Sequence, residues 1–482
     1  MRDERRGQLR ELEALARQLE PSAEQRAAWN GAVQAYADEF IDALPGGKAF
    51  QPDEEQGRLL QDLSFQEEPR ELGQLLQILR KEVDRPGINP ASGGHLGYIP
   101  GGGVFPTALG DYLAAVTNRY AGIFFANPGA VRIENSLIHW MCRMVGYPET
   151  ALGNLASGGS IANLIAITTA RDAKGIRPRV VEKAVVYLTE QVHHCVQKAL
   201  RIAGLEEAII RYVPMDGRYR MDAGALRRQV SADQSTGLRP FLVVGSAGTT
   251  DTGSIDPLAD IADIAGQYDL WFHVDAAYGG FFALLDELRP AFRGMERSDS
   301  LAIDPHKGLF LSYGLGAVLI KDVQAQLRSH YYRANYMQDS VIDTDELNPA
   351  DLSPELTKHF RGLRMWMALQ LFGLTPFRAA LQEKRELALY FHEEVQKLGF
   401  EVGPSPELSV AIYRYVPLAG DPDDFNRRLV ARVQRDGRVF VSSTLIQGRF
   451  WIRLAVLSFR THLEHIDWLL EVLEAGVREL EA

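Results

Sequence analysis

The chain has 482 residues, 46% hydrophobic and 24% charged, the proportions of a globular protein too long for one ordinary core. Its formal net charge of −11 argues against nucleic acid or an anionic membrane as a partner, because both demand clustered Lys and Arg. Two cysteines, Cys142 and Cys195, are too few for a disulfide framework or a paired zinc site, so no metal is expected and the cytoplasm is the natural compartment.

The first twenty residues are charged throughout and carry no apolar core with a cleavage site, so no signal peptide is expected. Leu9, Leu12, Leu15, Ala16 and Leu19 recur at helical spacing, and a second periodic stretch runs over 27–44. Such an amphipathic pair must lay its apolar stripe on its own body or on a second subunit, and a second subunit is the expectation. Residues 87–106 are rich in Gly and Pro and read as a linker or a loop lining a site.

Beyond that stretch, apolar runs at 184–188, 241–245, 270–274 and 315–320 alternate with helical segments such as 160–173 and 257–268. The alternation predicts an α/β fold around a mainly parallel sheet, with ligands at the carboxyl ends of its strands. After Arg361 one long helical pattern leads to strands near 408–416 and 449–457 and a closing helix, a smaller α+β unit. The expected division is a helical segment over 1–103, a large domain over 104–376 and a small domain over 377–482.

Three local patterns carry chemistry. In SGGSIANL, Gly159 and Ser160 open a helix whose free amides suit a phosphate, although a serine that merely caps the helix explains the same residues. In HVDAAYGG, Asp275 follows an apolar strand and suits a cationic ring nitrogen, where the bland alternative is a turn aspartate. In DPHKG, Lys307 stands at the next strand end as an amine nucleophile, which requires a lowered pKa, and a lysine snorkelling to the surface is its ordinary alternative. Together the acid and the amine match what a pyridoxal 5′-phosphate site needs at the ring nitrogen and the aldehyde.

The order of SGGSIANL, EQVHHCVQKA, SAGTTDTGSIDPL, HVDAAYGG, DPHKG and HFRGLRMW resembles that of the group II pyridoxal-phosphate-dependent decarboxylases, the aromatic-L-amino-acid decarboxylase family, from about Gly87 onward. The resemblance implies a fold-type I homodimer with active sites at the subunit interface. It implies that Lys307 is the Schiff-base lysine, Asp275 the partner of the ring nitrogen, and His193 the histidine stacked on the ring. Gly159, Ser160 and His306 fall where the family holds the phosphate, and Thr249 and Ala277 where it contacts the ring region. Arg453 matches the arginine that related glutamate decarboxylases use for the substrate carboxylate, with a structural ion pair as its alternative.

Two departures stand out. Asp304 occupies a position where the aromatic enzymes often carry Asn, and as a carboxylate it is left out of the phosphate shell. The expected mobile loop, 339–354, contains no tyrosine, whereas the animal enzymes protonate the carbanion from one there. Tyr336 or His193 is left to deliver that proton, or the intermediate is diverted to an aldehyde.

The reading is decarboxylation of an L-amino acid to an amine, with an aromatic substrate suggested by Tyr98, Tyr120, Phe124 and Phe125. An acidic or aliphatic substrate, an aldehyde synthase, an aminotransferase or carbon–carbon lyase on the same fold, and a non-catalytic subunit are the alternatives.

Overall fold

The computed structural model describes residues 1–52, 57–65, 67–99, 101–332 and 346–482, which fall into two compact units, Met1–Asn89 and Pro90–Ala482. In the first unit, helices cover Arg2–Ala16 and Ala23–Ala43. Ser22 starts the second through a reciprocal capping box with Gln25, which satisfies two backbone donors at the helix start. Neither helix buries a residue, and Leu9, Leu12, Leu15 and Leu19 are exposed.

The second unit is built on a seven-stranded sheet: β1 (Leu152–Ala156), β2 (Ala184–Leu188), β3 (Ile209–Tyr212), β4 (Arg239–Ser246), β5 (Trp271–Asp275), β6 (Ser300–Ile303) and β7 (Gly316–Ile320). Their spatial order is β1-β7-β6-β5-β4-β2-β3, and β7 alone runs antiparallel to both its neighbours. The strands read as continuous apolar runs because both faces are covered. Successive residues of β4 divide between two cores: Val243 joins Phe272 and Leu301 on one face, while Leu242 and Val244 join Val186 on the other.

Helices α1 (Gly159–Ala173), α2 (His194–Ile202) and α3 (Leu258–Tyr268) follow β1, β2 and β4. Because β1, β2, β4, β5 and β6 share one direction, the loops that leave their carboxyl ends gather at one edge of the sheet. The expected mainly parallel α/β architecture is the one observed.

The long helical pattern after Arg361 is two helices, α4 (Gly362–Phe372) and α5 (Thr375–Lys397). Gly373, in the left-handed region at φ 64°, ends the first, and Pro376 sits in the opening turn of the second. A four-stranded antiparallel sheet follows, ordered β8 (Glu401–Val402), β9 (Val410–Arg414), β11 (Arg449–Ala455), β10 (Ser442–Ile446). It is covered by α6 (Pro422–Asp436) and α7 (Leu463–Glu481), with Leu429, Ile452, Leu454 and Leu469 at its centre.

The described part of the Gly-rich stretch is held by backbone hydrogen bonds at both ends. Gly94 and Leu96 exchange backbone hydrogen bonds with Phe440, the Ala455 amide donates to Leu96, and farther along the Val104 amide donates to the Phe310 carbonyl.

Candidate active site

Five strand ends build one cavity of about 480 Å³. After β1 come Ser157 to Ser160, after β2 Gln191 and His193, after β4 Thr249 and Thr250, after β5 Asp275 to Tyr278, and after β6 Asp304, His306 and Lys307. Eight residues singled out from the sequence, Gly159, Ser160, His193, Thr249, Asp275, Ala277, His306 and Lys307, share its wall.

The α1 start leaves the amides of Gly159 and Ser160 without intrahelical acceptors, a ready anion site. Lys307 lies in the short helical turn Pro305–Gly308, and its Nζ is 3.0 Å from Oδ2 of the buried Asp304. Burial pulls the Lys307 ammonium toward the neutral form, yet Asp304 and then Asp275 favour the charged form, and the net direction is upward. The lowered pKa expected for an amine nucleophile is therefore not the one found in the protein by itself, because two carboxylates surround the amine.

Asp275 closes β5, and its Oδ1 accepts the Ala277 amide at 3.1 Å. His193 caps α2, with Nδ1 accepting the Cys195 amide at 3.3 Å. That bond leaves Nε2 to carry the proton of the neutral ring. Burial pushes the His193 pKa down and outweighs the opposing pull of Asp275. His306 Nδ1 faces the Leu315 carbonyl, which accepts its proton, and burial also lowers this pKa.

Residues 53–416 match the family described as the pyridoxal-dependent decarboxylase conserved domain. The chain belongs to this decarboxylase family. An aromatic-L-amino-acid decarboxylase of Bacillus atrophaeus is 33% identical over 80% of this chain and 81% of its own length. A phenylacetaldehyde synthase of Petunia hybrida is 27% identical over 85% of each chain. The structure of Oryza sativa TDC with PLP and tryptamine superposes with a TM-score of 0.90 at 25% identity, covering 96% of this chain and 99% of that one. The chain is an amino-acid decarboxylase with pyridoxal 5′-phosphate as its cofactor.

The decarboxylase cavity fits this cofactor. A helix start for a phosphate, a carboxylate for a ring nitrogen and a lysine amine for an aldehyde face one space of adequate size. Asp304 is the member whose charge opposes a phosphate. A Cβ placed on Gly159 would stand 2.9 Å from Asp304 Oδ2, so the carboxylate lies directly against the glycine loop.

Arg453 does not line the decarboxylase cavity. Its buried guanidinium donates to the carbonyls of Thr250 and, at 3.1 Å, Asp251, and to Ser442 Oγ at 2.7 Å. It thus braces the loop that carries Thr249 and Thr250. Tyr98, Tyr120, Phe124 and Phe125 do not line the cavity either. Tyr336 and residues 339–345 of the expected loop lie outside the described residues.

Sequence reasoning missed Gln191, Cys195, Ser246, Tyr278 and Tyr313 in the wall; Asp304, left out of the phosphate shell, lines the cavity too. Tyr278 had a signal, standing within HVDAAYGG; its hydroxyl is fixed 2.8 Å from Ser409 Oγ. Gln191 lies in the histidine-bearing stretch, whereas Tyr313 had no signal beyond its closeness to Lys307.

Proposed function

We propose that this decarboxylase acts on an aromatic L-amino acid, replacing its α-carboxylate with a proton to give carbon dioxide and the arylalkylamine. The observation that carries the reading is the meeting of Lys307, Asp275 and the α1 start in one cavity. Names of relatives such as the Bacillus atrophaeus enzyme support the aromatic substrate.

In this reading Lys307 holds the cofactor aldehyde carbon, Asp275 faces the ring nitrogen, His193 lies on the ring, and Gly159, Ser160 and His306 hold the phosphate. Thr249 and Ala277 complete the ring contacts. The bound cofactor supplies an electron sink for the pair left when carbon dioxide departs. Asp275 keeps the ring nitrogen protonated, which strengthens that sink. To His193, with its proton on Nε2, this reading assigns the return of a proton to the substrate α-carbon.

We place the working enzyme in the cytoplasm as a homodimer, without nucleic acid or membrane partners. Both cysteines are buried and unpaired, as a reducing compartment permits. Among the described residues no helix is long and apolar enough to cross a membrane and no metal-ligating cluster occurs. The exposed leucines of Arg2–Ala16 are the face a second subunit would cover.

The second reading, supported by the Petunia hybrida relative and by the absence of tyrosine from 339–354, is an aldehyde synthase. It would convert amino acid, dioxygen and water into aldehyde, carbon dioxide, ammonia and hydrogen peroxide. Incubating purified protein and cofactor with a panel of L-amino acids, and assaying carbon dioxide, amine, aldehyde and peroxide together, separates the two. Amine without peroxide is the expected result; aldehyde with matching peroxide overturns it. Lys307→Ala should abolish both products, and retained turnover would remove Lys307 from its role.

A further inference from the structure

Behind the cavity wall runs a line of buried polar side chains that the reaction as described does not use. Trp271, His273 and Asp275 occupy alternate positions of β5 and so share one face of the sheet. Ser300 opens the adjacent β6, and Asn163 lies one turn into α1. All but the cavity-lining Asp275 are buried away from solvent, with His273, Ser300 and Asn163 at 0% exposure.

The contacts are continuous. Trp271 Nε1 donates to Ser300 Oγ at 2.8 Å, and Ser300 Oγ lies 2.9 Å from His273 Nδ1. His273 Nε2 lies 2.7 Å from Asn163 Oδ1. The Asn163 amide nitrogen donates to the Gly159 carbonyl at 2.9 Å and faces Asp275 Oδ2 and Cys195 Sγ, each at 3.5 Å.

Donor and acceptor chemistry gives this line one direction. A carbonyl and a carboxylate only accept, so Asn163 must turn its NH₂ toward Gly159 and Asp275 and its oxygen toward His273. His273 then donates from Nε2 and, as a neutral ring, accepts at Nδ1. Ser300 fills that acceptor with its hydroxyl proton, and its own lone pair receives the Trp271 N–H. Burial holds the His273 pKa down to about 4, which keeps the ring neutral at ordinary pH.

We propose that Asn163 and His273 are positioning residues that hold the Asp275 carboxylate turned toward the ring nitrogen of the cofactor. The Asn163 amide both restrains Asp275 and ties it to the Gly159 carbonyl, so the ring-nitrogen partner and the phosphate loop are set by one side chain. His273 prevents that amide from flipping, since a flip would set the amide oxygen against the acceptors Asp275 and Gly159 and its NH₂ against the His273 N–H. The inference rests on the reading in which Asp275 pairs with the ring nitrogen.

The test compares dissociation constants for pyridoxal 5′-phosphate and its 1-deaza analogue, whose ring nitrogen is replaced by C–H. The proteins are the unaltered enzyme, Asn163→Leu, His273→Phe, His273→Gln and Ser300→Ala, each checked for folding by circular dichroism and thermal melting. The unaltered enzyme should prefer the natural cofactor, and Asn163→Leu and His273→Phe should lose about threefold of that preference, less than a full hydrogen bond to a charged group because the Asn163–Asp275 contact is 3.5 Å. His273→Gln, which still presents an N–H toward Asn163, should retain more of it than His273→Phe. Ser300→Ala is a small change at a residue outside the cavity wall that serves if the larger ones fail to fold, and it should lose part of the preference.

If the unaltered enzyme discriminates and the folded variants discriminate equally well, the positioning role is overturned while that of Asp275 stands. If the unaltered enzyme does not discriminate, the role of Asp275 itself is wrong, and the inference goes with it.

Discussion

Lys307 Nζ stands 3.0 Å from Asp304 Oδ2, while the other carboxylate oxygen of Asp304 is buried without a hydrogen-bond partner among the described residues. The amine must be neutral to bond to an aldehyde carbon, and this carboxylate favours the charged form. Cofactor attachment should therefore accelerate as pH rises.

Asp304→Asn should move that pH profile to lower values, since removing the carboxylate lets burial lower the Lys307 pKa. It should also tighten cofactor binding by about tenfold, because a negative charge beside the phosphate loop is gone. Following the cofactor's visible absorbance during loading, over a pH series, measures both. An unchanged profile would show that Asp304 does not govern the lysine.

Gly316 tests whether the placement of Asp304 is under steric control. A Cβ there would come within 2.5 Å of Asp304 Oδ1 and 2.6 Å of the Gly158 backbone, so something must shift. Gly316→Ala should cost about 1–3 kcal/mol of stability and weaken cofactor binding, read from a denaturant melt and a binding titration. A variant with both properties intact would contradict the packing.

For Arg453, a bracing role and a substrate-binding role predict different results. Lys in its place cannot reproduce the fork that reaches the Thr250 and Asp251 carbonyls and Ser442. Arg453→Lys should lower stability by about 2 kcal/mol through unpaired buried acceptors. Unchanged stability with a rise in substrate KM alone would instead restore Arg453 to the substrate.

Acid stability offers a fourth prediction. His95 is buried, neither ring nitrogen has a hydrogen-bond partner among the described residues, and burial lowers its pKa to about 4. The unfolded chain takes a proton on this ring below about pH 6.5, so the folded state loses stability as pH falls from there toward 4. The full loss is about 3 kcal/mol. His95→Phe, packed against Phe440 and Tyr98, should flatten that acid limb in urea melts at pH 7 and 4.5. His273 titrates in the same direction and will keep part of the slope.

The sequence made some features legible because their determinants are local. Apolar runs such as Ala184–Leu188 and Trp271–Asp275 announced buried strands, and the glycine loop and DPHKG marked strand ends. Ser300–Ile303 was implied only by the strand end before DPHKG, and Ile209–Tyr212 escaped notice because it is an edge strand. One helix was expected where Gly373 makes two. Asn163 lay in plain view inside SGGSIANL, yet its task depends on His273 and Asp275, brought to it only by sheet order. Arg453 shows the converse: its motif match carried a role, while its partners in the fold, the Thr250 and Asp251 carbonyls and Ser442, are encoded by no motif.

The Gly-rich stretch is pinned to Phe440 and Ala455 at one end and to Phe310, three residues past Lys307, at the other. The antiparallel sheet and the lysine-bearing turn are therefore tethered. Losing the hydrogen bonds at either end would leave the two elements without this shared backbone tie.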